Sequence, residues 1–223
     1  MNNSGDMILR ISPQRGEVFV EQETDGVISR KSIAPDTLAH CFLSSRYDDE
    51  VHGTGFLPDG CFAATMTPKH TFYYIRYPEL YADFSYFGTE YPRFPIPRLV
   101  FCFKYQPQDK KVMGSFVCVV KDERLTLDTP LFQYPFSNVG YNWSICIGNN
   151  ALPVYKDPAR LHTLAAYILR MPNNNDHFSR DNNKLKMEYR ELLEQMKGKE
   201  PSLYYTDVLV ESNRTLKDFM NRM

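Results

Sequence analysis

The chain has 223 residues, 43% of them hydrophobic and 14% aromatic, which is enough to bury a substantial core in one domain or in a core with extensions. Its 26 basic and 27 acidic residues form no long block of one sign, so we expect neither nucleic acid nor an anionic membrane as a partner. No apolar run approaches the roughly 20 residues that span a bilayer, and the polar residues 1–6 do not resemble a signal peptide, which predicts a cytoplasmic protein.

The first 58 residues are predicted to form an extension to the core. Short apolar bursts at residues 8–11, 17–22 and 27–31, with turn formers at 24–26 between the last two, indicate a β-hairpin. The proline and polar residues at 34–37 are typical of a helix start, so a short helix is predicted over residues 38–43.

A series of aromatic segments follows between residues 59 and 121, separated by clusters of Pro, Gly and Asp. Segments of this composition favour strands, and their succession predicts an antiparallel meander. Cys102 and Cys118 lie in the two most apolar segments, which predicts that both are core residues. The prolines at 92–97 indicate a rigid extended approach to a strand, or a simple edge spacer. The predicted strands are residues 61–64, 71–75, 82–87, 99–105 and 113–120.

Two helices and a last strand are predicted after residue 156. The first helix begins at Asp157 and presents an apolar face at the helical spacing, and residues 172–176 end it. A charged amphipathic helix is predicted over 184–196 and a strand over 204–210. We therefore divide the chain into an extension at 1–58, a core at 59–180, and a C-terminal helix and tail at 181–223 packed on the core. The apolar face of the first helix consists of Leu161, Leu164, Ala165, Ile168 and Leu169.

The sequence offers little to hold a metal or a cofactor. The five histidines are scattered, and neither Cys-x-x-Cys nor His-Glu-x-x-His occurs, so we expect no metal site. No glycine-rich phosphate loop is present, so we expect no nucleotide cofactor either. The five cysteines have irregular spacings, which predicts free thiols rather than a disulfide framework.

Asn138 precedes Cys146 by eight positions in a turn-rich segment, and this pair carries the chemistry that we consider first. A thiolate is a strong nucleophile and needs no strong internal base. A side-chain amide on a rigid turn can stabilise the oxyanion of acyl transfer, a role worth roughly 3 to 4 kcal/mol elsewhere. The alternative is that Cys146 is a small core residue, because free cysteines are among the most buried residue types.

The run from Asn138 to Ile147 resembles the active-site flap of ubiquitin-conjugating enzymes, where the asparagine of a His-Pro-Asn motif precedes the catalytic cysteine at the same offset. In this chain Phe136 and Ser137 replace His and Pro. The wider pattern at 94–101, 129–139 and 145–149 resembles the PRTRC system protein B family, a divergent bacterial ubiquitin-conjugating-like group. This resemblance implies an α+β ubiquitin-conjugating-like fold, in which an antiparallel β-meander carries the flap and packed C-terminal helices, here with an N-terminal β-hairpin extension.

The resemblance also implies a function and partners. Cys146 would hold a ubiquitin-like protein as a thioester received from a ThiF-type activating enzyme, and a JAB-type metallopeptidase would belong to the same cassette. Asn138 would stabilise the oxyanion during transfer to an acceptor. Asp176 would orient or deprotonate the incoming lysine. Tyr134, Ser144 and Asn149 would shape the same cleft.

Two other functions remain open at this level. The first is a module of the same fold that binds a ubiquitin-like protein without chemistry. The second is a cysteine hydrolase in which His162 or His177 acts with Cys146.

Overall fold

The computed structural model describes residues 7–12, 14–24, 26–44 and 55–221, and the chain forms two units, Met1–Gly53 and Thr54–Met223. The polar start at 1–6, and Asp25 in the predicted hairpin turn, lie outside the described residues. Within the described parts of the chain, no helix has the length and apolar character needed to cross a membrane.

The first unit contains a small antiparallel sheet and one helix. Strands β1 (Met7–Ser12), β2 (Glu17–Thr24) and β3 (Val27–Ile33) pair in that order, and α1 (Pro35–Ser44) follows. The predicted hairpin is β2–β3, and β1 adds a third strand to it. The predicted short helix is confirmed and begins earlier, at Pro35, where a proline is tolerated because the first turn of a helix needs no backbone N–H bond.

The second unit is built on a six-stranded antiparallel sheet in the order β11-β10-β9-β8-β5-β4. The predicted meander is confirmed for β4, β5, β8 and β9, but β6 and β7 leave the sheet as a separate two-stranded ribbon. The strands are β4 (Cys61–Met66), β5 (Thr71–Tyr77), β6 (Leu80–Tyr86), β7 (Thr89–Ile96), β8 (Leu99–Gln106), β9 (Lys111–Val120), β10 (Pro130–Phe132) and β11 (Glu211–Thr215).

The proline-rich segment is itself a strand, β7, and not only an approach to one. Pro95 pairs with Tyr81, and Pro92 lies where the register of the ribbon shifts. A two-stranded ribbon accepts prolines because each strand has one edge that forms no ladder. The prediction of extended backbone was therefore right, but the pairing partner was missed.

The central strand β8 is buried on both faces. Leu99, Phe101 and Phe103 pack on one side of the sheet, in the larger core. Cys102 lies on the opposite side with Cys118, and both cysteines are buried, as predicted. Helices α2 (His162–Leu169) and α3 (Tyr189–Met196) cover the larger core, and α4 (Leu216–Met220) covers the smaller one.

The first predicted helix is confirmed with a modified start. A 3₁₀ turn, Pro158–Leu161, precedes α2, and the Asp157 side chain accepts a hydrogen bond from the N–H of Ala159 at 2.9 Å. This cap satisfies a backbone donor that the first turn leaves without a partner. All five residues of the predicted apolar face are buried.

In the C-terminal part, one predicted helix has the wrong start and one predicted strand is wrong. The helix predicted over 184–196 begins only at Tyr189, because the Asn183 side chain bonds to the backbone of Met187 and holds a turn, and Glu188 and Glu191 form a capping box. The strand predicted over 204–210 is instead a π-helical turn, Tyr204–Val208, and β11 follows it. Tyr204, Val208 and Leu209 are all buried in the larger core, whereas a regular strand would direct the adjacent Val208 and Leu209 to opposite faces.

We expect Gly60→Ala to destabilise the protein more than Gly88→Ala. Both glycines have a positive φ, which costs alanine about 1 kcal/mol. A Cβ at Gly60 would lie 2.8 Å from the carbonyl oxygen of Arg76, whereas Gly88 has open space around it. The clash adds about 1 to 3 kcal/mol, and denaturant titration of both variants measures the difference. Equal losses in the free energy of unfolding would contradict the close approach at Gly60.

Candidate active site

The flap, residues 135–148, is a short hairpin attached to the edge of β9. Its tip is closed by hydrogen bonds from Gly140 N–H to the carbonyl of Ser144 and from Trp143 N–H to the carbonyl of Gly140, both 2.8 Å long. The N–H of Ile145 donates to the carbonyl of Ser115 at 2.9 Å, so the returning arm continues the sheet beside β10. These hydrogen bonds fix the position of the turn-rich flap relative to the sheet.

The backbone of Asn138 joins the three predicted site residues. Its carbonyl accepts a 2.7 Å hydrogen bond from the N–H of Cys146, and its N–H donates a 2.7 Å hydrogen bond to the carbonyl of Asp176. Asn138 adopts a left-handed conformation with φ of 64°, a region that asparagine enters more readily than most residues. The structure therefore brings Asn138, Cys146 and Asp176 together.

Cys146 is exposed, because the residues on both sides of it anchor the flap. Ile145 and Ile147 are half-buried and pack against the larger core. Neighbouring side chains of an extended segment point in opposite directions, so Cys146 points outward. The alternative interpretation of Cys146 as a core residue is therefore wrong. Cys41 is the other exposed cysteine among the described residues.

The polar side chains near Cys146 are held by local hydrogen bonds. The Asn138 amide nitrogen donates to the carbonyl of Pro172 at 3.3 Å, which leaves its second N–H for another acceptor. The Asp176 carboxylate is exposed and accepts a 2.7 Å hydrogen bond from the Asn174 amide, and the N–H of Asp176 donates to the Asn174 carbonyl oxygen. The second carboxylate oxygen of Asp176 accepts no hydrogen bond from the described residues.

Asn173 is a buried residue that the sequence analysis missed. Its side-chain oxygen accepts hydrogen bonds from Ser137 Oγ at 2.9 Å and from the Tyr189 hydroxyl at 3.1 Å, and its amide donates to the carbonyl of Met171. Its N–H donates to the carbonyl of Ser85 in β6. Burial raises the pKa of Tyr189 well above its ordinary value, so this hydroxyl remains a donor. Asn173 thereby ties the flap, β6 and α3 together.

The structure places Tyr134, Ser144 and Asn149 in different surroundings. Tyr134 lines a groove on the flap, Ser144 is bonded to the Asn142 side chain, and Asn149 is exposed after the cysteine. We call this cavity of about 340 Å³ the flap groove. It is lined by Phe132, Gln133, Tyr134, Val139, Gly140, Tyr141, Trp143, His177, Ser179, Asn182, Ser212 and Arg214.

The geometry does not favour the hydrolase. His162 Nδ1 lies 3.0 Å from the carbonyl oxygen of Ala159, and its Nε2 lies 3.9 Å from an Asp59 carboxylate oxygen. His177 lines the flap groove. In the part of the chain that the structure describes, neither imidazole is hydrogen-bonded to Cys146, and no group of three His, Cys, Asp or Glu side chains is arranged to hold a metal ion.

The comparison with known families covers both the sheet and the flap. The family model of prokaryotic E2 family D matches residues 45–218. The chain belongs to this family. Membership indicates a conjugating-enzyme-like role, and the mixed fold with mostly antiparallel sheets and several helices is consistent with it. No curated protein and no solved structure matches the chain.

We expect Tyr189→Phe to destabilise the protein by about 1 kcal/mol, because it removes a hydrogen bond to buried Asn173. Tyr204→Phe is the matched control, since its buried hydroxyl has no hydrogen-bond partner among the described residues. We expect that variant to be as stable as the original protein or more so. Urea denaturation of the two variants tests this, and an equal loss of stability in both would contradict the role of Asn173.

Proposed function

We propose that the protein is a ubiquitin-conjugating-like carrier, which accepts a ubiquitin-like protein from a ThiF-type activating enzyme as a thioester on Cys146. The observation that carries the proposal is the pair of backbone hydrogen bonds that joins an exposed thiol to Asn138 and Asp176. Membership of prokaryotic E2 family D supports it. We further propose that the chain belongs to the PRTRC system protein B group, with a JAB-type metallopeptidase in the same cassette.

Loading forms one bond and breaks one. The Cys146 thiolate attacks the activated C-terminal carbonyl carbon of the ubiquitin-like protein, a C–S bond forms, and the leaving group stays with the activating enzyme. An exposed sulfur suits this step, because the carbonyl arrives on another protein. Ile145 and Ile147 hold the backbone of the flap while the thiol remains accessible.

In the transfer step the sulfur of Cys146 is the leaving group, whereas in the loading step it is the nucleophile. An acceptor nucleophile, proposed to be a lysine amine, attacks the thioester carbonyl, the new bond forms, and Cys146 departs as a thiolate. The second N–H of the Asn138 amide is proposed to stabilise the oxyanion. The Asp176 carboxylate is proposed to orient the amine and take its proton, because its backbone is bonded to Asn138 and one of its oxygens has no donor in the described structure.

We expect a covalent adduct when the protein is incubated with a ubiquitin-like protein and a ThiF-type enzyme from the same genome and ATP. The adduct should disappear in reducing agent, as a thioester does. Cys146→Ala should form none, and Cys146→Ser should form an oxyester that resists reductant. Cys41→Ser is the control, because Cys41 is also exposed. Gel electrophoresis with and without reductant measures all four proteins.

Each outcome decides between the candidate functions. An adduct in the Cys146→Ala variant would place the chemistry elsewhere. Retained binding of the ubiquitin-like protein with no adduct in any variant would reject the carrier and favour a non-catalytic module of the same fold. Cleavage of a ubiquitin-like fusion by the isolated protein, lost in His162→Ala or His177→Ala, would favour the hydrolase.

We expect Asn138→Gly to keep thioester formation but slow discharge to free lysine by about a hundred- to a thousandfold. Glycine adopts the positive φ of this position without strain, so the variant removes the amide and keeps the backbone. Asn138→Asp tests the same point, since it preserves shape but removes the donor. Single-turnover discharge of the preloaded protein gives the rates, and an unchanged rate in both variants would reject the oxyanion role.

Asp176→Asn belongs in the same assay. Its backbone carbonyl still binds the N–H of Asn138, so only the charge is lost. Slower discharge at neutral pH with recovery at alkaline pH, where free amine is abundant, is the result expected of a group that accepts the proton. A rate equal to that of the original protein at every pH would assign Asp176 a purely structural role.

A further inference from the structure

The flap groove is lined by an arginine, Arg214, whose guanidinium group lies against two aromatic rings. The guanidinium carbon of Arg214, in β11, lies 4.3 Å from the ring centroid of Tyr141 and 4.6 Å from that of Trp143. Both rings belong to the tip of the flap. Cation–π contact of this kind fixes the plane of a guanidinium group without using its N–H donors.

The donors of Arg214 have no acceptor within the described residues. Arg214 is half-buried and forms no ion pair or side-chain hydrogen bond there. The pKa of Asp218 is lowered mainly by hydrogen bonding to Thr215, and the charge of Arg214 adds a smaller lowering. One oxygen of the Asp218 carboxylate accepts hydrogen bonds from both the N–H and the hydroxyl of Thr215. A half-buried cation with open donors is suited to a carboxylate.

We propose that the flap groove binds an extended segment of a partner protein, whose acidic side chain is held by Arg214. The cavity of about 340 Å³ is at the small end of ligand sites, so it takes a side chain with adjoining main chain. Ser179, Asn182 and Ser212 also line the cavity, and the Ser212 hydroxyl already donates to the carbonyl of Leu131. β11 is the last strand of the sheet, and an edge strand is a ready partner for extended backbone.

This binding site is separate from the chemistry proposed for Cys146, which does not line the groove. The groove nevertheless begins beside it, because His177 in the groove follows Asp176, whose carbonyl binds Asn138. A segment bound there would lie along one side of the flap. Its affinity is measurable without loading the protein, so failure of one proposal does not imply failure of the other.

The test uses Trp143, the only tryptophan of the chain, as a reporter inside the groove. The blocked pentapeptide acetyl-Gly-Ser-Asp-Ser-Gly-amide is titrated up to about 10 mM, and the indole N–H signal of Trp143 is followed by NMR. We expect a saturable shift. The peptide with Asn in place of Asp should bind at least about tenfold more weakly, because it lacks the charge-assisted hydrogen bonds.

Variants assign the effect to Arg214. Arg214→Gln should lose the preference for the acidic peptide, and Arg214→Lys should retain part of it, since the charge remains without the planar fork. Arg190→Gln is the matched control, because Arg190 also stacks on an aromatic ring, 5.0 Å from the centroid of Tyr86, but does not line the groove. That variant should bind as the original protein does, and circular dichroism verifies the fold of all three.

Three results would overturn the proposal. The first is equal binding of the Asp and Asn peptides, or no saturable shift with either. The second is an unchanged preference in Arg214→Gln. The third is an equal shift with sodium acetate at the same concentration, which would identify a site for a small anion rather than for an extended polypeptide segment.

Discussion

The arrangement around Cys146 depends on two hydrogen bonds of one peptide unit. The carbonyl of Asn138 accepts the N–H of Cys146, its N–H donates to the carbonyl of Asp176, and its backbone is in the left-handed conformation. These bonds join the two arms of the flap and attach the flap to the turn after α2. Both bonds are made by backbone groups, so they use neither the Asn138 nor the Asp176 side chain.

The exposure of each thiol in the second unit is decided by how the neighbouring residues pack in the core. Cys102 and Cys118 are enclosed between the sheet and α4, whereas Cys146 points outward because its neighbours Ile145 and Ile147 point inward. Because side chains alternate along an extended segment, burial of Ile145 and Ile147 leaves the thiol between them exposed. Burial of these two isoleucine side chains also restrains the backbone of the flap, so the exposed sulfur has a defined position.

The local sequence pattern was sufficient to predict most helices and strands, but it could not predict which distant residues their side chains contact. The apolar segments of the meander and the face of α2 were predictable because periodicity reports burial directly. The turn formers around Asn138 correctly indicated a turn-rich segment. Asn173 and Arg214 were missed, since their roles depend on residues far along the chain, 36 positions away for the bond between Asn173 and Ser137. The late start of α3 was missed because a side chain, that of Asn183, outcompetes the helical pattern.

Phe136 and Ser137 have a clear structural role in this protein. Phe136 is buried and packs edge-to-face against Phe94 and Tyr204, so it fastens the entering arm of the flap to the core. Ser137 donates to Asn173 Oδ1, and this bond holds the residue immediately before Asn138. An aromatic anchor and a buried hydroxyl therefore fix the entering arm, and Asn138 follows directly from that anchored pair. The same arm thereby positions the Asn138 carbonyl, which accepts the N–H of Cys146.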